Sequence, residues 1–513
     1  MKNLKILVFA LCLLNLCATA QENATPITDV KFDNEYANRT NPIINGKIIN
    51  ASEQELQNIT LEFTLVRPNE PIQTKLTTGI DKDGKFQLII PSKLPYQQIW
   101  FSLGEYVYSC LYANEELNLE FDLQKLKKQN VYMLGDGMSF SGKDGEINKT
   151  LNAYIMYNKK HLPEFYKEIQ NLNEQDSNAL NKLDSLFNLQ RKIDVDFLKD
   201  NNNKAKKIIE SETEAEYLSK KILLLLNNNE VVLDNKELML PIFAVTNGTT
   251  SFLRYLHWYI SNKKLSNKDE RVNRTIKFSK LDSILPKPYA DLVKLQVYSR
   301  DLPEQLAINK ELIKSLNTKW ISQYLLQENA DLNNKINKMQ ELLSEKADST
   351  FKKNIGKFLK RTSFNGTLYL NESETGGNLL KSIMAAFPKK IIILDLWATW
   401  CFPCLNNMPH SKQLFQQVQN EKLPVVFVYL CTDLQSSETL WQNKIAELEQ
   451  PGEHIFVSNK QMNELMDLFN TSGYPTYAII KPDGQIDTKT INLNRNFSID
   501  ELKEYLSKEA GFQ

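Results

Sequence analysis

The C-terminal part of this chain is organised around the stretch LDLWATWCFPC, residues 394–404. It continues an apolar run from Ile391 to Trp397, which predicts a strand buried on both faces of a parallel sheet. The run leads directly into a C-x-x-C motif, Cys401 to Cys404, and a helical pattern follows from Leu405. A strand, a C-x-x-C and a helix in this order indicate a redox-active pair of thiols.

The spacing of the two cysteines suits thiol–disulfide exchange. Two thiols on the first turn of a helix can form a disulfide with little backbone movement. Cys401 lies where unpaired N–H groups and the helix dipole favour a thiolate, so we expect it to attack the substrate. Cys404 lies one turn deeper, and we expect it to be a buried resolving thiol. Pro403 suits the first turn because its missing N–H is not needed there.

Two other interpretations of the motif stay open. A zinc site needs four ligands, usually from a second C-x-x-C or a pair of histidines. Beyond residue 20 the other cysteines are Cys110 and Cys431, and no histidine pair lies at ligand spacing, so we predict no metal. A purely structural disulfide across so short a loop would add little stability, because the entropic contribution grows with loop length. We therefore prefer the redox interpretation, which needs no metal and no organic cofactor.

The segment WATWCFPC, residues 397–404, resembles the active site of thioredoxin-fold thiol-disulfide oxidoreductases, especially the exported TlpA/ResA-like group. Pro409 matches the proline that kinks the active-site helix of that family, and residues 474–476 look like its cis-proline loop. The resemblance implies a thioredoxin-like fold for residues 362–513. It implies catalytic roles for Cys401, Cys404, Asp395 and Pro475, and substrate contacts from Trp400, Phe402, Pro403, Tyr474 and Thr476.

Asp395 is the polar residue inside the apolar strand. A buried carboxylate is costly unless it has a partner or a function. One interpretation makes it a proton acceptor with a raised pKa for Cys404. The other makes it a strand-end aspartate held by backbone hydrogen bonds. Many TlpA/ResA-like proteins carry glutamate where this chain has Asn407, so a proton relay would be left to Asp395.

The residues between the cysteines indicate the direction of electron flow. Phe402 cannot stabilise a thiolate as an imidazolium could, so Cys401 should be only moderately acidic. That favours a reductant of protein disulfides over a strong oxidant. The electrons would come from a membrane or exported dithiol partner. A scaffold that docks partners without turnover stays open as an alternative, whereas a peroxidase is disfavoured because no T-x-x-C precedes either cysteine.

Residues 1–20 predict a signal peptide and hence export to the periplasm or cell envelope. Lys2 and Lys5 precede an apolar core, residues 6–16, and Ala18-Thr19-Ala20 is a typical cleavage site. The apolar core is short for a bilayer span. Cys17 leaves open a lipoprotein with a membrane tether, although the large Leu16 precedes it.

The remaining sequence predicts a multidomain protein. Apolar residues alternate with polar ones from about Ile43 to Phe140, for example at Leu117, Leu119 and Phe121, which favours an N-terminal β-sandwich over residues 21–145. Helical spacing over 146–361 predicts a helical middle region before the C-terminal α/β domain. One pattern predicts a single amphipathic helix over residues 332–358, and Ser211 with Glu214 forms a capping box that would open another.

The chain has no excess of basic or of acidic residues. Basic and acidic residues both number 62, so the formal net charge is zero. Nothing in this balance favours nucleic acid or an anionic membrane surface. Cys110 and Cys431 are each expected to be buried packing residues, because free cysteine often behaves as a small hydrophobe.

Overall fold

A computed structural model describes residues 25–69, 74–76, 78–173, 175–199, 203–226, 233–234, 236–261, 278–299, 301–343, 353–489 and 497–508. The predicted signal peptide, 1–20, and Cys17 lie outside these residues. The chain divides into two compact units. The first comprises the described residues up to Tyr298 together with Ile308–Gln327, and the second comprises Ser299–Ala307 and the described residues from Glu328 on. The domain boundaries at 145/146 and 361/362 stay predictions.

The first unit begins with two β-sheets. Its strands are β1 (Ile43–Ile49), β2 (Leu61–Leu65), β3 (Thr74–Leu76), β4 (Lys85–Ile89), β5 (Gln97–Leu103), β6 (Val107–Ala113), β7 (Glu116–Asp122), β8 (Val131–Tyr132) and β9 (Met138–Ser141). The sheet orders are β4-β1-β7-β9 and β3-β2-β5-β6-β8. Alternate residues of both sheets contribute to one apolar core, in which the rings of Phe63 and Phe101 lie 4.9 Å apart. The period-two pattern in the sequence therefore marks the face of each strand that joins this core, and β6 also buries Cys110 and Tyr112 on its other face.

Helices make up most of the rest of the first unit. They are α1 (Phe32–Asn38), α2 (Glu53–Asn58), α3 (Leu123–Leu126), α4 (Gly145–His161), α5 (Phe165–Gln170), α6 (Ala179–Leu198), α7 (Asn203–Leu225), α8 (Asn247–Tyr259), α9 (Phe278–Ile284) and α10 (Lys287–Lys294), with a 3-10 turn at Lys236–Leu238. Two further helices follow, α11 (Leu302–Ser315) and α12 (Lys319–Leu343).

The predicted helix start at Ser211 is wrong, because α7 is already continuous there. The Ser211 hydroxyl donates to the carbonyl oxygen of Pro241 at 2.9 Å instead of capping the helix. Glu214 accepts a hydrogen bond from Arg191 Nε at 2.6 Å. The side chains of Ser211 and Glu214 therefore bind residues that are distant in the sequence, although the local pattern predicted that they cap a helix.

The predicted single helix over 332–358 is also wrong. Helix α12 ends at Leu343, and Phe358 lies in strand β10 (Lys357–Arg361), which pairs antiparallel with β11 (Gly366–Leu370). Gly356 has a φ of 141°, a conformation that L-residues rarely adopt and that no α-helix contains. The apolar spacing thus continues into a segment that ends in a strand rather than in a helix.

The second unit is built on a seven-stranded sheet of order β10-β11-β14-β13-β12-β15-β16. Its other elements are β12 (Ile391–Trp397), α13 (Gly376–Ala386), α14 (Phe402–Asn420), β13 (Val425–Thr432), α15 (Glu438–Leu448), β14 (Gly452–Val457), α16 (Asn459–Phe469), β15 (Thr476–Ile480), β16 (Ile486–Asp487) and α17 (Ile499–Lys508). Every residue of β12 is buried, which confirms the predicted central strand. It pairs parallel with β13 and antiparallel with β15.

Successive side chains of β12 point to opposite faces of the sheet. Ile391, Ile393 and Trp397 join the apolar cluster that contains both active-site cysteines. The intervening Ile392 and Leu394 join a separate cluster on the other face. No helix in the described part of the chain combines the length and apolar character needed to cross a membrane.

Candidate active site

The two cysteines lie where β12 gives way to helix α14. Cys401 is the residue before the helix, and its Sγ accepts a hydrogen bond from the N–H of Cys404 at 3.2 Å. The two residues form a disulfide, with their Cα atoms 5.3 Å apart. Cys401 keeps 4% of its surface exposed, whereas Cys404 has none. A partner molecule can therefore approach Cys401 before it can approach Cys404.

An aromatic surface borders the disulfide. The ring of Trp400 packs edge-on against that of Tyr474, with the centroids 5.8 Å apart. Trp400 Nε1 donates to the carbonyl oxygen of Leu434 at 2.7 Å, which fixes the indole. Phe402 and Pro403 are exposed. These predicted substrate contacts therefore lie together around the dithiol, with apolar area open to solvent.

The loop before β15 has the form that the resemblance implies. The Tyr474–Pro475 peptide bond is cis. Thr476 is buried, and its hydroxyl donates to the carbonyl oxygen of Gly473 at 2.7 Å. The Thr476 side chain thus stabilises the loop from inside, and its predicted role in binding substrate stays a prediction.

Asp395 is buried beneath the active site. It is 2% exposed, and no described residue donates a hydrogen bond to its Oδ1. The alternation of β12 places it on the face of Ile393 and Trp397, which is the face of both cysteines. Burial raises the pKa of the carboxyl to about 8. The interpretation in which backbone hydrogen bonds hold this carboxylate therefore finds no support.

Two tyrosines lie beside Asp395, and no pattern in the sequence indicated them. Tyr429 on β13 and Tyr477 on β15 are its cross-strand partners in the sheet. The Tyr477 hydroxyl accepts a hydrogen bond from Asn407 Nδ2 at 3.0 Å. The Tyr429 hydroxyl lies 2.6 Å from Ser411 Oγ. The polar groups around Asp395 thus come from helix α14 and from both neighbouring strands. They are hydroxyl and amide groups, and none of those named is a carboxyl.

The other two cysteines in the described part of the chain, Cys110 and Cys431, are buried, as predicted. Cys431 faces Trp397 across the sheet, and burial raises the pKa of its thiol well above the ordinary value. Cys110 accepts a hydrogen bond from Gln98 Nε2 at 3.2 Å, and burial raises its pKa to about 12. Neither thiol is ionised near neutral pH, so neither is a nucleophile there. Among the described residues, no group of three or more His, Cys, Asp or Glu side chains could hold a metal ion.

Comparison with known proteins shows what part of the C-terminal unit is similar to. The family model described as thioredoxin-like matches residues 389–486. The thiol-disulfide oxidoreductase ResA of Oceanobacillus iheyensis is 28% identical over 121 residues, which cover 24% of this chain and 58% of that protein. ResA of Bacillus cereus is 24% identical over 121 residues, which cover 23% of this chain and 63% of that protein. The chain thus spans less than two thirds of the length of these curated relatives.

Among solved structures, the thioredoxin domain of a thiol-disulfide oxidoreductase from Bacteroides vulgatus is 18% identical, with a TM-score of 0.20. That alignment covers 24% of this chain and 82% of the solved one. The sequence match falls on the strand, the C-x-x-C and the cis-proline loop described above. Residues 389–486 of the C-terminal unit therefore match a thioredoxin-like family model, and this part of the chain is similar in sequence to thiol-disulfide oxidoreductases of the ResA type.

Proposed function

We propose that this protein is an exported thiol-disulfide oxidoreductase that reduces disulfides of other proteins. The observation that supports this most strongly is the asymmetry of the pair. Cys401 is the more accessible sulfur and sits at a helix N-terminus, where backbone N–H groups stabilise a thiolate. Cys404 is fully buried on the face that also carries Asp395.

The reaction is an exchange of disulfide bonds. The Cys401 thiolate attacks one sulfur of the substrate disulfide, whose S–S bond breaks, and the other substrate sulfur leaves as a thiolate and takes up a proton. Cys404 then attacks Sγ of Cys401 in the mixed disulfide and displaces the second substrate thiolate. Two electrons pass from the dithiol to the substrate, and the protein ends as the Cys401–Cys404 disulfide.

Asp395 supports the second step of this exchange. Cys404 must lose its proton before it can attack, and it is buried away from bulk water. Burial raises the pKa of Asp395 to about 8, so its carboxylate is a much stronger base than an exposed aspartate and can take up a proton near neutral pH. We propose that the Asp395 carboxylate takes the proton from Cys404.

The proposed direction is reduction of the substrate. Phe402 and Pro403 place no positive charge between the two cysteines, so the reduced form gains no stabilisation from a neighbouring cation. A membrane or exported dithiol protein would return two electrons to the Cys401–Cys404 disulfide after each turnover. We place the protein in the periplasm or cell envelope, with a tether only if Cys17 is lipidated.

We also propose a role for the residues before the thioredoxin-like domain. Residues 21–145 would form a β-sandwich, which the shared core of the two sheets supports. Together with the helical region it would bind partner proteins or set their distance from the dithiol. In the first unit we find no counterpart of the exchange site, since its one described cysteine, Cys110, is buried and has a raised pKa.

Substitution of Cys404 by serine is expected to trap substrates. Without the resolving thiol, Cys401 stays joined to the protein whose disulfide it attacked. Full-length Cys404→Ser protein, expressed with its natural export, should carry exported proteins in adducts that a reducing agent releases, as seen by non-reducing electrophoresis and mass spectrometry. The double variant Cys401→Ser/Cys404→Ser is the matched control and should carry none. Equal capture by both variants would favour a scaffold that docks partners without turnover.

A further inference from the structure

The first unit encloses a cavity that the exchange chemistry does not use. Its volume is about 530 Å³, within the range of small-molecule sites. Residues of α4, α5, α7 and strands β5, β6 and β8 line it. The lining is rich in aromatic rings: Trp100, Tyr112, Tyr132, Tyr154, Phe165 and Tyr166. Such rings offer apolar area and faces that attract positive charge.

Two acidic side chains, one helical turn apart on α7, also line this cavity. Glu212 is satisfied, because it accepts hydrogen bonds from the Thr246 hydroxyl and, at 3.0 Å, from the N–H of Gly248. Glu216 is partly buried, and no described residue donates a hydrogen bond to its carboxylate. On α4, Asn158 Oδ1 is a buried acceptor that likewise has no partner among the described residues. The cavity thus has more acceptors than donors.

No described residue neutralises the charge of Glu216. Burial raises its pKa, and the nearby charges of Glu212 and Asp194 raise it further. The Asp194 carboxylate already accepts a hydrogen bond from the Tyr154 hydroxyl at 2.7 Å. The Lys159 ammonium is exposed and lies 4.4 Å from the centre of the Tyr132 ring. A partly buried carboxylate that has neither a hydrogen-bond donor nor a cation beside it costs free energy, unless a ligand supplies that donor or cation.

We propose that this cavity binds an organic cation, an amine or guanidinium group on an apolar stem. Its charged N–H groups would donate hydrogen bonds to the Glu216 carboxylate and toward Asn158 Oδ1. The ligand would thus supply the donors that these two acceptors lack among the described residues. Its stem would pack against the aromatic lining, where the ring faces add attraction for the charge. The same chemistry is carried by a free amine and by a lysine or arginine side chain of a partner protein.

Calorimetric titration of the full-length protein tests the proposal. The probes are phenethylamine and agmatine as free cations, a capped arginine amide as a basic side chain, and 2-phenylethanol as a neutral analogue. We expect the cations to bind and the neutral analogue to bind at least tenfold more weakly. Glu216→Gln should weaken cation binding at least tenfold. The matched control is Glu210→Gln, which changes an exposed glutamate of the same helix and should leave binding unchanged.

The pH dependence gives a second readout. The cation requires the ionised carboxylate, and the pKa of Glu216 is raised, so binding should tighten from pH 6 to pH 9 and release protons. The titratable groups near this carboxyl are Glu212, Asp194, Tyr154, Lys159, Tyr166 and Tyr132. Glu216→Gln should flatten the dependence.

Three outcomes would overturn the proposal: no binding of any cation, equal binding of 2-phenylethanol, or unchanged cation binding by Glu216→Gln. If that variant does not fold, Ile155→Trp tests the same site by filling the cavity, and it must abolish cation binding. Binding of the free amines alone identifies a small ligand, whereas binding of the capped arginine amide as well identifies a basic side chain. Both of these results support the cation site.

Discussion

Replacement of Cys401 by serine is expected to reduce disulfide turnover to the uncatalysed background. A serine hydroxyl stays protonated at neutral pH and does not attack disulfides, whereas a thiolate does. Cys404 cannot take over, because it has no exposed surface. The measurement is the rate at which purified protein reduces an insulin-type disulfide in the presence of a dithiol donor.

The matched control for this loss is Cys431→Ser. Cys431 is buried and its thiol pKa is raised well above the ordinary value, so it contributes no thiolate. This variant should keep most of the wild-type rate if it remains folded. Equal turnover by wild type and Cys401→Ser would contradict the assignment of the nucleophile.

Asp395→Asn is expected to slow resolution of the mixed disulfide by about 10²-fold, the lower end of general acid–base effects. In the wild type, the rate of resolution should rise with pH as the Asp395 carboxyl ionises, and level off above its pKa of about 8. The variant has no ionisable group at this position, so that inflection should disappear. Rapid-quench measurement of mixed-disulfide decay across pH 6–9 gives both quantities.

The stability of the Asp395→Asn variant separates a proton-transfer role from a structural one. The folded-state pKa of Asp395, about 8, lies above the unfolded value of about 3.9, so folding takes up a proton between these limits. The contribution of Asp395 to stability is therefore fully present below about pH 4 and is lost as pH rises to about 8. The variant lacks this loss, so its Tm should exceed that of the wild type increasingly from pH 5 to pH 8.

A more stable but slower variant would identify Asp395 as the proton acceptor. Asp467→Asn changes an exposed aspartate on α16 and serves as the control, with rate and Tm both near the wild type. If Asp395→Asn kept the wild-type rate and the same pH inflection, the carboxyl would have no part in the exchange.

The buried strand and the helix start that carry this site could be predicted from the sequence for a physical reason. A strand buried on both faces must be apolar throughout, so Asp395 was conspicuous as the exception. The C-x-x-C and the start of α14 are local features, which a local pattern can describe. The contacts of Tyr477 with Asn407 were missed because they depend on the pairing of β12 with β15, which no local pattern specifies.

The errors in the helical region have a related cause. The apolar spacing over 332–358 fitted one helix, yet Phe358 packs its ring 5.9 Å from that of Tyr369 in a β-sheet. Gly356 was the available signal in the sequence that no helix continues to Phe358. Glu212 and Glu216 line a cavity, because α4, α5 and strands β5, β6 and β8 cover that face of α7. Only tertiary packing determines which charges are enclosed.

A single-turnover experiment tests the central claim most directly. Fully reduced protein is mixed without oxygen with one equivalent of a protein disulfide, and the disulfides of both molecules are mapped by peptide mass spectrometry. The account predicts that one substrate disulfide is lost for each Cys401–Cys404 disulfide formed, with Cys110 and Cys431 still reduced. A substrate that stays oxidised while Cys401 and Cys404 remain thiols would contradict the account.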